Sequence, residues 1–194
     1  LRPLSPYAKA KVKIEHHILS KKKSGLSKTI LRFATAFGYS QRMRFDLTVN
    51  HFCYSMLKHN KIEVYDPETW RPYCHVKDFS RIIIKVLNSD RDQIHNQVYN
   101  VGSDINNFTK AGIVNLIRNK LPNSEVVLKK GGIDKRDYRV SFDKINKELN
   151  ISTLYSVSDG IDEIIKILQS SEHDYLKEDA LKFRGNFNIL ENVK

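Results

Sequence analysis

Tyr7 and Lys11 stand four residues apart in Ser5-Pro6-Tyr7-Ala8-Lys9-Ala10-Lys11. On an α-helix residues i and i+4 share a face, so a phenol and an ammonium could address the same small volume. A free phenol titrates near ~10 and is a poor base at neutral pH, but a fixed cation beside it favours the phenolate and makes it a proton-transfer group. The same spacing also suits an ordinary surface helix, with the ring on the core and the lysine in water. The neighbouring residues decide how the pair is held. Pro6 fits the first helical turn and Ser5 is a good N-cap. The pattern predicts a helix over 7–20, with Val12, Ile14, Ile18 and Leu19 as its candidate buried face. Its exit, Lys21-Lys22-Lys23, complements the negative helix end. After Gly25 the run Thr29-Ile30-Leu31-Arg32-Phe33 reads as a strand.

Elements alternate along the rest of the chain. A loop runs from Phe33 to Arg44, and Asp46 is placed to cap a helix reaching His59, burying Leu47, Phe52, Met56 and Leu57. A short strand over 62–65 precedes the turn Asp66-Pro67-Glu68-Thr69. Asp78 is placed to cap a helix carrying Phe79, Ile82, Ile83, Val86 and Leu87, and 97–101 reads as a strand ending at Gly102. A helix over 109–121 stops before Pro122. Strands are expected over 125–128 and 138–142, separated by Gly131-Gly132, and helices over 143–149 and 159–169. The tail from residue 171 carries Leu176, Phe183, Phe187 and Ile189 among charges.

Five segments, in order, resemble the second half of an extended short-chain dehydrogenase/reductase of the NAD-dependent nucleotide-sugar epimerase and dehydratase type. Ser5 to Lys11 is similar to that family's Tyr-x-x-x-Lys helix, and Leu31-Arg32-Phe33-Ala34-Thr35-Ala36-Phe37-Gly38 to the strand and loop after it. Arg42 to Asn50 resembles the loop and helix carrying a substrate-contacting asparagine. Arg71-Pro72-Tyr73-Cys74-His75-Val76-Lys77-Asp78 matches Arg-x-x-x-His-Val-x-Asp. Arg136-Asp137-Tyr138, with Lys144-Ile145 and Glu148-Leu149, is similar to the terminal element that brings a second arginine to the substrate.

The resemblance implies an α/β fold: the second half of a Rossmann-type parallel sheet plus a small α+β substrate-binding lobe. Residues 1–34 and 76–102 would belong to the NAD-binding domain, and 35–75 and 103–194 to the lobe. The implied reaction is transient oxidation of a hydroxyl on a nucleotide-diphosphate sugar, with 4-epimerisation favoured over dehydration. Tyr7 and Lys11 would be the catalytic pair. Those two, with Phe33 and Ala34, would contact the cofactor, NAD ahead of NADP. Thr35, Asn50, Arg71 and Arg136 would bind substrate, the arginines because a guanidinium offers a planar fork of donors to phosphate oxygens. Many relatives have asparagine where Thr35 stands, and Arg139 competes with Arg136 for the second position. A non-catalytic sugar-nucleotide or protein-binding module of the same fold is the alternative.

No Gly-x-x-Gly-x-x-Gly or Gly-x-Gly-x-x-Gly occurs, and the first methionine is Met43. The expectation is therefore a carboxy-terminal part, inactive alone, whose partner is an amino-terminal Rossmann half carrying the glycine-rich turn and a catalytic Ser or Thr. A homodimer through the Tyr7 helix is a further expectation.

The 194 residues carry 33 basic and 22 acidic side chains, a formal charge of +11. Such a balance suits a nucleic acid or a diphosphate substrate. Aromatics such as Tyr54, Tyr65 and Tyr73 lack the interleaving of a stacking platform, so nucleic acid is not expected as a partner. Two cysteines, Cys53 and Cys74, make neither a disulfide framework nor a metal-ligand spacing, even with His16, His17 and His75. No metal is expected, and a reducing cytoplasm is the expected compartment. No apolar stretch approaches the roughly 20 residues that span a bilayer, so no membrane partner is expected.

Overall fold

The structure, a computed structural model, describes residues 3–21, 25–132, 136–170 and 175. Lys22, Lys23 and the tail positions Leu176, Phe183, Phe187 and Ile189 lie outside the described residues.

Ser5 accepts the Ala8 N–H at 3.1 Å and opens α1 (Pro6–Ser20), with Pro6 in the first turn. β1 (Thr29–Phe33) follows, then β2 (Thr35–Phe37), a three-residue strand lying within the expected loop. α2 (Thr48–His59), β3 (Lys61–Tyr65), β4 (Trp70–His75) and α3 (Val76–Leu87) come next. A single turn, α4 (Arg91–Ile94), leads to β5 (Gln97–Val101). A 3₁₀ turn at Asp104–Asn106 leads to β6 (Asn107–Thr109), then α5 (Lys110–Arg118), β7 (Glu125–Lys129), α6 (Asp143–Leu149) and α7 (Val157–Gln169).

Three small sheets result among the described residues. β1 and β5 pair in parallel, Thr29 opposite Gln97 through Phe33 opposite Val101. β4 lies between β2, which it pairs in parallel, and β6, which it pairs antiparallel. β3 and β7 form a third, parallel pair. Parallel neighbours require long crossovers, and here these carry the helices.

The apolar side chains gather in two clusters. The larger joins α2, α5 and α7 to β2, β3 and β4 through Phe37, Phe45, Tyr54, Ile113, Ile161 and their neighbours, and Tyr175 closes its edge against Phe45. The smaller joins Ile82 and Val86 of α3 to Tyr99 and Val101 of β5, and includes Ile145 and Ile151. α6, expected among the substrate-lobe segments, thus packs with the β1–β5 pair.

Five expectations are corrected. Asp46 does not cap α2; the N-cap is Leu47, and Asp46 instead binds Arg44 at 2.9 and 2.5 Å. Asp78 lies inside the first turn of α3, whose cap is the His75 ring accepting Lys77 N–H at 3.2 Å. α7 starts two residues earlier than expected because Ser156 and Asp159 form a capping box. The expected strand over 138–142 is a strap without a backbone ladder, held mainly by side chains as described below. On α1, Val12, Ile18 and Leu19 of the expected apolar face are half-buried, but Ile14 is 53% exposed and the one buried residue is Glu15.

Candidate active site

Parallel strands leave a crevice beyond their carboxyl ends. β1 and β5 end side by side at Phe33 and Val101, and Ala34 N–H extends the ladder to Val101 C=O at 2.9 Å. A cavity of about 610 Å³ opens there. Leu4, Tyr7, Ala8 and Val12 from the start of α1 form one wall, and Arg32, Phe33 and Ala34 form the floor. Pro72 of β4, Asn100 of β5 and the strap residues Arg136, Asp137, Tyr138, Val140 and Phe142 close the opposite side. Phe33 is backed by Phe79 of α3, the rings stacked at 4.0 Å. Gly102 must be small here, since a Cβ would lie 2.6 Å from the Phe142 ring.

The sequence-predicted residues divide. Tyr7, Phe33, Ala34 and Arg136 meet in this cavity. Lys11 is exposed a turn along from Tyr7, its Nζ 5.5 Å from the centre of the phenol ring. Thr35 opens β2 opposite Tyr73. Arg71 is buried, donates to the backbone carbonyl of Arg136, and stands 5.3 Å from the Tyr138 ring. It therefore supports the segment carrying the second arginine. Asn50 is 2% exposed and spends its amide within the protein: Oδ1 accepts Gly38 N–H at 3.1 Å, and Nδ2 donates to Gly38 C=O at 3.3 Å and to Met43 Sδ at 3.9 Å. Gly38 needs this bracing because its φ of +105° is left-handed and a Cβ would lie 2.3 Å from the His75 ring.

A polar node backs that turn. His75, fully buried, donates from Nε2 to Glu163 at 2.9 Å, while its Nδ1 accepts the cap bond. That pairing suits the neutral ring, and burial holds its pKa below the ordinary histidine value. Glu163 also accepts Tyr39 N–H at 3.0 Å and Lys77. Burial raises its carboxyl, but Lys77, Tyr39 N–H and His75 together outweigh that and leave it below the ordinary value.

Glu15 and Arg32 are functional neighbours that motif reading passed over. Arg32 grips Glu15 with two hydrogen bonds, one at 2.9 Å, and that bonding holds the Glu15 carboxyl below its usual pKa. The pair ties α1 to β1 one residue before Phe33. Its signal was the 7, 11, 15 spacing, which puts a carboxylate on the face of Tyr7 and Lys11. Neither cysteine is a ready nucleophile: both are buried, and burial pushes the Cys74 thiol up to about 12 and Cys53 higher. Among the described residues, no group of three or more His, Cys, Asp or Glu is placed to hold a metal ion, and no helix is long and apolar enough to cross a membrane.

A parallel strand pair with a phenol-lined crevice at its carboxyl end defines a Rossmann-like α/β protein. The chain belongs to the NAD dependent epimerase/dehydratase family, whose sequence profile matches residues 1–102. In fold it is similar to an NAD-dependent NDP-hexosamine 5,6-dehydratase of tunicamycin biosynthesis, at 21% identity and a TM-score of 0.76, over 92% of this chain and 57% of that one. It is similar also to dTDP-glucose 4,6-dehydratase from Bacillus anthracis in complex with NAD, at 23% identity and 0.75, over 89% and 54%. UDP-glucose 4-epimerase from Thermotoga maritima with UDP-glucose matches at 24% identity and 0.74, over 89% and 56%. The chain thus spans little more than half the length of these proteins.

Proposed function

We propose that the chain is part of an NAD-dependent enzyme that transiently oxidises a hydroxyl of a nucleotide-diphosphate sugar. The observation that carries this reading is the meeting of Tyr7, the Phe33–Ala34 strand end and the Arg136–Tyr138 strap in one cavity. NAD is preferred to NADP, and the residues present fit its nicotinamide end: Phe33, its ring stacked on Phe79, gives a flat apolar surface in the cavity that Tyr7 also lines. Bound NAD would supply a hydride acceptor and later return the hydride. Tyr7 takes the hydroxyl proton as the carbonyl forms and gives it back on reduction. Lys11 holds the cofactor ribose and lends its charge to the phenolate. Arg136 meets the diphosphate, while Arg71, Thr35 and Asn50 act at the substrate side by holding the strap and the β2 turn.

Epimerisation is favoured over dehydration because it needs only that the oxidised sugar turn and be reduced on its other face, with no added acid/base carboxylate pair. The rest of the cofactor site would come from further polypeptide laid along the edge of β1 away from β5, and the chain alone would be inactive. The exposed Ile14 on α1 suits a contact with a second copy, and the two free, buried cysteines suit a reducing cytoplasm.

The test is reduction of bound NAD by UDP-glucose or dTDP-glucose in the complete protein, followed by nicotinamide fluorescence. Tyr7→Phe should slow it by about 10²- to 10⁴-fold with the fold intact. An unchanged rate removes Tyr7 from the chemistry, and retained sugar-nucleotide binding without any reduction in the wild type favours a binding module.

A further inference from the structure

Strand β6 is three residues long and its partner β4 offers it Trp70, Arg71 and Pro72, the last opposite Asn107. Proline has no N–H, so the ladder ends there. Beyond it the side chain of Asn107 takes over. Its Oδ1 accepts Val140 N–H at 3.0 Å, its Nδ2 donates to Val140 C=O at 3.0 Å, and the same Nδ2 donates to Asp104 C=O at 3.1 Å. The orientation is fixed by its partners, since an exchanged amide would face two carbonyls with its oxygen and an N–H with its nitrogen. One side-chain amide thus occupies both backbone polar groups of Val140, as a neighbouring strand would.

This is the midpoint of the strap. At one end Asp137 accepts Trp70 N–H at 2.8 Å and Tyr138 N–H reaches Trp70 C=O at 3.2 Å; at the other, Asn100 donates to Ser141 C=O at 3.3 Å. Between those ends the segment has no backbone ladder, yet Arg136, Tyr138 and Val140 all face the cavity. A shift of about 1 Å in a wall that positions a ligand can cost about 10²-fold in rate, so the strap must be held closely.

We infer that Asn107 is a positioning residue for the sugar-nucleotide side of the cavity, acting through the Val140 peptide on Arg136 and Tyr138. The ligand class rests on the function proposed above; the positioning of the strap does not. Asn107→Asp keeps the acceptor for Val140 N–H, loses both donors and sets a carboxylate against two carbonyl oxygens. Asn107→Ala removes the contact without adding charge, and serves if the aspartate variant fails to fold.

The first measurement is amide exchange of the complete protein. Exchange over 136–142 should quicken about tenfold or more in the variants, with α2 and α7 unchanged. The second is the affinity for UDP-glucose and dTDP-glucose, which should weaken about tenfold, and that loss should vanish in an Arg136→Ala background because both changes act through one segment. Unaltered exchange over 136–142 overturns the inference. So does a loss of affinity that adds in full to that of Arg136→Ala, which is the signature of a general structural defect. If neither sugar nucleotide binds the wild type, the ligand reading falls, and quickened or unaltered strap exchange still decides for or against Asn107.

Discussion

α7 and α1 are 13 and 15 residues long, and both begin at a serine whose hydroxyl accepts a backbone N–H of the first turn. There the likeness stops. α7 buries Val157, Ile161, Ile164, Ile165 and Leu168 in the main core, and its Gly160 lies so close to Phe37 that a Cβ would stand 2.3 Å from the ring. Each such apolar side chain contributes about 1.5–3 kcal/mol. α1 buries one carboxylate and leaves Tyr7 and Ile14 more than half exposed. One helix is fixed by packing, the other by a cap and an ion pair. The phenol assigned the proton-transfer role sits on the second, so its placement depends on polar contacts.

The entry to α7 is the firmest point on that side of the comparison. Asp78, fully buried, accepts Leu154 N–H at 3.0 and 3.1 Å, Tyr155 N–H at 3.1 Å, and Arg81 at 2.8 Å. Asn106 completes the turn, accepting Val157 N–H at 3.0 Å. Asp78→Ala leaves two backbone donors, the N–H groups of Leu154 and Tyr155, without their acceptor and takes from Arg81 its carboxylate, and should lower the unfolding free energy by about 3–5 kcal/mol in urea titration. A loss confined to the 154–157 turn would mean that the core does not depend on it.

On the α1 side, Glu15→Gln removes the charge that Arg32 grips. The Arg32 side chain is 34% exposed, so solvent takes up part of the loss, and roughly 1–2 kcal/mol is expected. The effect should be local: faster amide exchange in α1, with α2 and α7 unaltered. Global destabilisation of the same size would contradict the separation of the two regions.

Acid should find the packed region first. Burial lowers the pKa of His75 and of His51 below the ordinary histidine value of 6.5, so the unfolded chain binds these protons more readily than the folded one. Their stabilisation is complete above about 6.5 and is lost as pH falls through the folded values, at no more than about 1.4 kcal/mol per pH unit for each proton. Glu163, also lowered, adds its share below 4.5. The unfolding free energy should fall below pH 6.5, and His75→Asn should flatten the upper part of that limb.

Local chemistry was legible in the sequence where one residue type decides it. Ser5-Pro6 gave the start of α1, and the β-rich run over 29–33 gave β1. Asp46 and Asp78 misled because acid before an apolar run is also the pattern of an ion-pairing residue and of a buried loop anchor. β2 and β6 are three residues each, too short for alternation to show. The strap over 136–142 has a strand's composition, but it is held largely by the side chains of Asn107, Asn100 and Arg71, which no period announces. For the site, the motifs placed Tyr7, Phe33, Ala34 and Arg136 at one cavity; Asn50 and Arg71 are polar residues whose spacing could not reveal that backbone groups occupy them.

The two caps are the finest test of the comparison, because the same atom is removed from each helix. Ser5 accepts Ala8 N–H at 3.1 Å, and Ser156 accepts Asp159 N–H at 3.2 Å while Asp159 returns a bond to Ser156 N–H at 2.8 Å. Replacing either serine by alanine should cost about 1 kcal/mol. In Ser156→Ala that loss should appear in the urea midpoint, because α7 unfolds only with the core. In Ser5→Ala the midpoint should hold and only the first turns of α1 should exchange faster, carrying Tyr7 with them. Equal shifts in both midpoints would show that α1 is coupled to the core as tightly as α7, and that packing, after all, sets the position of the phenol.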